Sequence, residues 1–251
     1  ALIGDPSGKS SMRQVLTREQ IRANAQGIAA QIGRVVRFGQ GPGDARLLDN
    51  ADWLADRTWI DILREAGPHF SVNRMLTMDS VKSRMEAGGI TFLEFNYMIM
   101  QAWDFWHLNR ALGCTVQMGG QDQWGNIVSG IELARRKDGA ELAGLTFPLV
   151  TKADGGKFGK TESGNVWLDR RYTSPYKFYQ FWLNVSDTDA EKYIKIFTSL
   201  TREEIGTLVS QQQSAPHLRP LQKKLAEEIT VMVHSREDYE ILFHLEKGTG
   251  T

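Results

Sequence analysis

Residues 92–112 limit the possible folds of this chain more than any other segment, because a helix there has to be buried. The segment is apolar on nearly every face of a helix and is followed by Gly113, a residue typical of helix ends. A helix that is hydrophobic all round lies inside a protein. Tyr97, Gln101 and Asp104 interrupt that surface at i, i+4 and i+7, so they share one face.

This polar face needs hydrogen-bonding partners. A buried polar group without a partner costs roughly 1–3 kcal/mol. We therefore expect the three side chains to face a ligand or polar groups of the protein. The alternatives are a stripe that meets water, or one that meets the side chains of another helix.

The pattern around this helix predicts an α/β fold with a mostly parallel sheet, because short buried strands alternate with helices. The opening apolar residues are interpreted as a strand that runs into a turn. From Ser174-Pro175 onward the pattern is helical, which places a domain boundary near residue 173 and predicts an α/β domain at 1–173 and a helical domain at 174–251. The predicted strands are 114–118 and 145–151, and further helices are predicted at 17–37, 126–136, 219–234 and 236–247, with a capping box at Thr201–Glu204.

A polar cluster follows the first predicted strand. Gly119 and Gly120 end that strand, and Asp122, Gln123 and Asn126 come directly after it. In open α/β sheets, ligands bind at the carboxyl edge of the strands. A carboxylate there can accept hydrogen bonds from ribose hydroxyls, and an amide can bind the polar atoms of an amino acid. The alternative is a tight turn with a helix cap.

Two further segments carry cations next to glycines. Lys157-Phe-Gly-Lys160-Thr161 follows Gly155-Gly156 and is typical of a loop that closes over a triphosphate, with an ordinary basic hairpin as the alternative. Gly4-Asp5-Pro-Ser-Gly8-Lys9 imitates a P-loop, but the first glycine of that motif is replaced by Ile3. A P-loop is therefore rejected, and Asp5 is expected to pair with an ammonium group.

Composition excludes several classes of protein. Lys plus Arg and Asp plus Glu are both 30, so there is no net charge to attract nucleic acid over long range. Cys114 is the only cysteine, which excludes an internal disulfide and a cysteine zinc site and is typical of the cytoplasm. No apolar run reaches the 18 residues of a membrane span.

Taken in order, these motifs closely resemble bacterial-type tyrosyl-tRNA synthetases, which are class I aminoacyl-tRNA synthetases. The resemblance rests on Gly-Asp-Pro-Ser-Gly-Lys, Tyr-x3-Gln-x2-Asp, Gly-Gly-x-Asp-Gln-Trp-Gly-Asn, Lys-Phe-Gly-Lys-Thr and the run from Ser174 to Leu183, and it covers essentially the whole chain. It implies a Rossmann-like catalytic domain followed by a helical domain on the anticodon side. It also implies L-tyrosine, ATP with Mg²⁺, and tRNA(Tyr) as substrates, no metal held by the protein, a homodimer, and a cytoplasmic location with an organelle as the alternative.

The resemblance implies roles for individual residues. Asp104 would accept a hydrogen bond from the phenol of tyrosine, Gln117 would support the pocket from behind, and Asn50 matches a family position near the site with no role assigned. The residues that would bind the rest of the amino acid are Asp5, Tyr97, Gln101 and Gln123. Those that would bind ATP are Asp122 at the ribose, Lys157, Lys160 and Thr161 on a mobile signature loop, and Lys9 and Arg13 on a second mobile segment.

The chain also departs from the family pattern. The family commonly has a small residue at the position of Gln121 and Tyr at the position of Trp103. None of the five histidines stands in a His-x-Gly-His setting. The resemblance therefore implies a fragment that lacks the family's HIGH signature and its C-terminal RNA-binding module. We expect such a piece alone to make little adenylate.

Two other functions compete with this interpretation. A tryptophanyl-tRNA synthetase is the nearest rival, and Asp104 on the Tyr97–Gln101 face favours tyrosine over tryptophan. A non-catalytic RNA-binding relative is the second rival. The complete Lys157–Thr161 loop argues against it, because RNA binding alone does not need that loop.

Overall fold

A computed structural model describes residues 3–7, 14–156, 158–161 and 164–248. The chain divides into two compact units. The first comprises Ala1–Ala25 and Leu47–Leu149, and the second comprises Gln26–Arg46 and Val150–Thr251. The α/β class with a helical part is confirmed, and the domain boundary near residue 173 stays a prediction.

The first unit is built around a long helix, which is followed in sequence by two parallel strands. Two clusters of buried side chains pack around that helix, one containing Trp103 and Leu133 and the other Met75 and Met98. Its elements in chain order are α1 (Arg18–Ile32, which continues into the second unit), α2 (Ala51–Leu54), α3 (Trp59–Glu65), α4 (Val72–Leu76), α5 (Asp79–Glu86), α6 (Phe92–Leu112), β1 (Val116–Gly120), α7 (Trp124–Asp138) and β2 (Ala143–Phe147).

The predicted strand–helix–strand unit is confirmed, with β1 displaced by two residues and β2 beginning two residues and ending four residues earlier than predicted. Strands β1 and β2 pair in parallel, with Met118 opposite Leu145 and Gly120 opposite Phe147. Glycines can take part in this strand pairing because the hydrogen bonds between strands use only backbone atoms. In β2, a Cβ at Gly144 would lie 2.6 Å from Ile127 Cγ2 of α7, so a glycine is what lets that helix cover the sheet.

The predicted opening strand and the full length of the first helix are wrong for the described residues. Residues 3–7 form a bend and a turn, so Asp5 does not end a strand there. Helix α1 stops at Ile32 instead of residue 37, because Gly33 closes its last turn and the chain reverses through residues 33–36.

Helix α6 has the predicted bounds, and buried charge fixes its start. Thr91 and Glu94 form a capping box, and Arg84 of α5 lies 3.1 Å from the Glu94 carboxylate. Burial raises the pKa of Glu94, but the hydrogen bonds from Thr91 and Arg84 outweigh burial and hold that pKa below its ordinary value. At the other end, Gly113 ends the helix in the left-handed conformation.

Helices α6 and α7 pack in close contact through a glycine. A Cβ at Gly130 of α7 would lie 2.9 Å from the Cβ of Phe105, which is fully buried on α6. Two helices can approach this closely only where one of them has no side chain. This contact sets the position of α6, which carries Tyr97, Gln101 and Asp104.

The second unit is mainly helical, and its core is aromatic. Tyr179, Trp182 and Tyr193 are buried there together with Leu225. The Ser174 cap and the Thr201–Glu204 capping box are confirmed. Its elements are a hairpin of β3 (Lys160–Thr161) and β4 (Gly164–Asn165), then α8 (Pro175–Leu183), α9 (Asp187–Phe197), α10 (Arg202–Ser214), α11 (Pro220–Val233) and α12 (Arg236–Gly248).

None of the helices in the described ranges has both the length and the apolar character needed to cross a membrane.

The glycine contact between α6 and α7 predicts opposite outcomes for two Gly→Ala changes. Gly130→Ala forces a methyl group against Phe105, and overpacking costs about 1–3 kcal/mol while helix propensity returns at most about 1 kcal/mol. We expect a net loss in the free energy of unfolding, measured by urea denaturation. Gly206→Ala on α10 meets no atom within 4 Å and should instead stabilise by about 0.4–1 kcal/mol. A Gly130→Ala protein as stable as its parent would contradict the packing argument.

Candidate active site

The polar face of α6 opens onto a cavity of about 850 Å³ in the first unit. Tyr97, Gln101 and Asp104 line one wall, and α1 and α2 supply the rest. Most ligand pockets have volumes of about 300–1,000 Å³. The stripe predicted from helical spacing therefore faces a space that can hold a small molecule.

Asp104 is the most constrained polar side chain of this cavity. Its Oδ1 accepts a hydrogen bond of 2.7 Å from Trp53 Nε1, and its Oδ2 accepts one of 3.0 Å from Asn50 Nδ2. Burial raises the pKa of Asp104 above its ordinary value, while these two donors and nearby His107 pull it down. A carboxylate has about four acceptor positions, so two remain for a ligand.

Helix α2 and a stacked ring hold the two donors in place. Asn50 and Trp53 lie three residues apart at the start of α2, on the same side of a single turn. The indole of Trp53 also stacks on the imidazole of His107, with centroids 4.6 Å apart and planes at 15°. The α2 turn thus supplies Asp104 with a fixed pair of donors.

Gln101 connects the cavity with the sheet through its side chain. Its Nε2 lies 3.5 Å from Oε1 of Gln117 on β1, which is the outer limit of a hydrogen bond. The supporting role of Gln117 stays a prediction. The sequence alone linked these two side chains only through the family resemblance.

A second polar network follows the end of β1. Gln123 Nε2 donates to Asp5 Oδ2 at 2.7 Å and lies 3.3 Å from Asp122 Oδ2, and its Oε1 accepts from Asn126 Nδ2 at 3.2 Å. Asp5 also accepts at 2.9 Å from the backbone N–H of Ser7. The structure therefore joins the predicted ammonium-binding residue Asp5 to the Gly-Gly-x-Asp-Gln segment, which lies 118 residues away in sequence.

The signature loop lies in the second unit. Lys160 and Thr161 form β3 and pair with Asn165 and Gly164 of β4. Lys157, Lys9 and Arg13 fall outside the described residues. The roles of all five in catalysis stay predictions.

Sequence reasoning missed the role of two residues that hold Asp104. It noted Asn50 without a role and did not select Trp53. The available signal was the Asn-Ala-Asp-Trp spacing, which puts an amide and an indole N–H on one helical turn. Nothing in that spacing says which acceptor they reach.

No group of three or more potential metal ligands occurs among His, Cys, Asp and Glu of the described part of the chain.

The bond from Trp53 to Asp104 predicts a pH-dependent loss of stability. Trp53→Phe keeps an aromatic ring but removes the indole donor, and a hydrogen bond to a charged group contributes about 1.5–3 kcal/mol. Loss of the donor raises the pKa of Asp104 further. The loss in free energy of unfolding should be complete above that pKa, where the carboxylate is charged, and shrink as falling pH protonates it.

Urea denaturation of both proteins from about pH 4 to about pH 7 measures this difference. Trp167→Phe is the matched control, because the Trp167 side chain is half exposed and is not among the residues that line the α6 cavity. A loss for Trp53→Phe that is the same at every pH would mean that Trp53 acts only through packing.

Comparison with known proteins places this chain in a family. The family model described as tRNA synthetases class I (W and Y) matches residues 1–241. The chain is 57% identical to a tyrosine–tRNA ligase of Bacteroides thetaiotaomicron, over 95% of this chain and 56% of that protein. A tyrosine–tRNA ligase of Porphyromonas gingivalis gives the same identity and coverage. The chain thus spans little more than half the length of these curated relatives.

A solved structure agrees with this similarity. The C-terminally truncated mitochondrial tyrosyl-tRNA synthetase of Aspergillus nidulans superimposes with a TM-score of 0.77 at 29% identity, covering 98% of this chain and 73% of that one. The chain therefore belongs to the class I tRNA synthetase family of the W and Y type.

Proposed function

We propose that the protein carrying this chain is a tyrosine–tRNA ligase. It joins L-tyrosine to ATP, giving tyrosyl-adenylate and pyrophosphate, and then transfers the tyrosyl group to tRNA(Tyr). The observation that carries this proposal is the partly buried Asp104 carboxylate in the wall of the α6 cavity, with acceptor positions left over after Asn50 and Trp53.

The phenol of tyrosine is the group that this carboxylate suits. A carboxylate raised in energy by burial gains from every added donor, and the phenol hydroxyl is one. Phenylalanine has no donor, so its ring would cover the Asp104 carboxylate without giving it a hydrogen bond. Tryptophan is the competing amino acid, and the relatives named above, which are tyrosine–tRNA ligases, favour tyrosine.

The remaining polar groups suit the amino acid's other end. Tyr97 and Gln101 line the same cavity, and Asp5 and Gln123 form one hydrogen-bonded pair in the same unit. An ammonium group is attracted to the Asp5 carboxylate, and Gln123 has both a donor and an acceptor. We assign these four residues to the amino and carboxyl groups of tyrosine, with Gln117 supporting Gln101.

The adenylation step needs no protein nucleophile. The carboxylate oxygen of tyrosine attacks the α-phosphorus of ATP, and the bond to the pyrophosphate oxygen breaks. Positioning and electrostatic stabilisation therefore supply the rate. The exposed Asp122 carboxylate is assigned to the ribose hydroxyls. Charge on the phosphates is assigned to Lys157, Lys160, Thr161, Lys9 and Arg13, and Mg²⁺ enters with ATP.

We also propose that the protein forms a homodimer. Trp59, Ile60 and Phe92 are 50%, 65% and 71% exposed, and the rings of Trp59 and Phe92 meet edge to face at 5.9 Å. Large apolar side chains that share an exposed patch are typical of an interface. Sedimentation of the full-length protein tests this, and a monomer at micromolar concentration would contradict it.

Asp104 predicts the choice between tyrosine and phenylalanine. Asp104→Asn keeps the side-chain shape but replaces a charged acceptor by a neutral one. We expect kcat/KM for tyrosine to fall about 10- to 100-fold, equivalent to about 1.5–3 kcal/mol, and the preference over phenylalanine to shrink. Pyrophosphate exchange with the full-length protein measures both amino acids.

Asp138→Asn is the matched control for Asp104→Asn. Asp138 also accepts an indole hydrogen bond, of 2.6 Å from Trp106, but it is not among the residues that line the α6 cavity. Its amide variant should leave the discrimination unchanged. An Asp104→Asn protein that still discriminates as well as its parent would mean that another group reads the hydroxyl.

The signature loop predicts a separation of rate from binding. Lys160→Ala should lower the adenylation rate much more than it weakens tyrosine binding, because a loop cation acts where charge develops in the transition state. Single-turnover adenylation and equilibrium dialysis of tyrosine measure the two effects. Lys195→Ala, an exposed lysine paired with Glu191, is the control. Equal losses in rate and binding would argue against a role late in the reaction.

A further inference from the structure

An aromatic residue stands inside the cationic signature segment. Phe158 lies between Lys157 and Gly159, two positions before Lys160. A phenyl ring contributes no charge to phosphate chemistry, so the chemistry of the loop does not account for it. Its surroundings in the second unit do.

Four aromatic rings of α8 and α9 surround Phe158. It stacks on Phe197 with centroids 5.1 Å apart and planes at 19°, and it meets Tyr193 edge-on at 5.0 Å. Trp182 and Phe181 complete the group at 5.6 and 6.1 Å. Edge-on and offset stacked geometries at these distances are the favourable ones for aromatic pairs. We call these four residues the aromatic socket.

The chain before Phe158 is tied to the same helix α9. The carbonyl of Thr151 accepts hydrogen bonds from Lys192 Nζ at 2.9 Å and from the Tyr193 hydroxyl at 3.1 Å. The backbone N–H of Ala153 donates to Asp189 Oδ1 at 2.8 Å. Tyr193 therefore holds the start of the segment with its hydroxyl and Phe158 with its ring.

The chain after Phe158 turns at once into the β3–β4 hairpin. Gly159 has a positive φ of 75°, and its carbonyl accepts from the N–H of Val166 at 3.0 Å. A backbone that is fixed by a packed ring and a hydrogen-bonded hairpin has few conformations left. The position of the ring therefore restricts where the backbone of Lys160 can lie.

We propose that Phe158 is a positioning residue for adenylation, acting through the aromatic socket of α8 and α9. The ring anchors the signature segment to the helical unit and thereby sets the position of the Lys160 backbone in the β3–β4 hairpin. This inference rests on the proposed function, because that function assigns Lys160 to ATP. It makes packing in the helical unit a determinant of catalytic rate.

Substitution of the ring tests the anchor in the full-length protein. Phe158→Ala should lower kcat for tyrosine-dependent pyrophosphate exchange about 100-fold, the usual cost of a small misplacement of catalytic groups, with the dissociation constant of tyrosine nearly unchanged. Phe158→Leu keeps apolar volume and should recover part of kcat. Phe197→Ala empties the socket from the helix side and should reproduce the loss, and the double variant should lose little more than either single one.

A structural readout separates anchoring from general stability. Hydrogen exchange at the Val166 amide should accelerate in Phe158→Ala, because its acceptor Gly159 loses its fixed position. Phe178→Leu is the control. Phe178 is a buried ring of the same core that contacts Trp182 and His234. This control should lower the melting temperature and leave kcat unchanged.

Each outcome decides one of the two proposals. A parent protein without tyrosine-dependent exchange overturns the proposed function. If the parent is active, an unchanged kcat in Phe158→Ala overturns the anchor, as does an equal loss in Phe178→Leu or an equal loss of tyrosine binding. If Phe158→Ala does not fold, Phe158→Leu and Phe197→Ala decide the question by the same comparison of kcat with tyrosine binding.

Discussion

The site depends on the cost of keeping one carboxylate out of water. Asp104 lies on α6 beside the buried side chains of Trp103 and Phe105, and burial raises the pKa of Asp104. A partly buried carboxylate stays charged only where hydrogen-bond donors contact it, and Asn50 and Trp53 supply two such donors. Helix α2 must therefore lie beside α6, and this pairing gives the cavity a wall with a carboxylate held in a fixed position.

Close packing around α6 follows from small residues at defined points. Gly130 lets α7 approach Phe105, and Gly144 lets β2 lie under Ile127. Helix α7 is thereby held between α6 and the sheet, and its N-terminal end carries Asn126 next to the Gln123–Asp5 network. Precise placement of polar groups thus rests on apolar contacts that leave no room for a methyl group.

The signature loop shows how one motif can combine two physical roles. The proposed role of its lysines and threonine follows from their charge and hydroxyl groups. Its phenylalanine instead packs among Phe181, Trp182, Tyr193 and Phe197. Phe158 of the loop is therefore packed against the core of the helical unit. Packing contacts of this kind give a loop a preferred geometry, which electrostatic catalysis requires.

Sequence alone determined the features whose causes are local. The bounds of α6, the Ser174 cap, the capping box at Thr201 and the shared face of Tyr97, Gln101 and Asp104 follow from helical period and from hydrogen bonds within one turn. The parallel βαβ unit also followed from alternation of strand and helix. The family resemblance selected the residues of the site without showing what holds them.

Tertiary structure decided whatever depends on partners far apart in the chain. The bounds of β1 were misplaced by two residues, and the start and end of β2 by two and four residues, because pairing between strands and a close approach to α7 set them. The donors of Asp104 lie 54 and 51 residues away, so no local pattern identifies them. Local sequence also does not identify the partners of Phe158, because the aromatic socket begins 23 residues later. A phenylalanine between two lysines gives no indication of the rings that surround it, since those contacts form only in the folded chain.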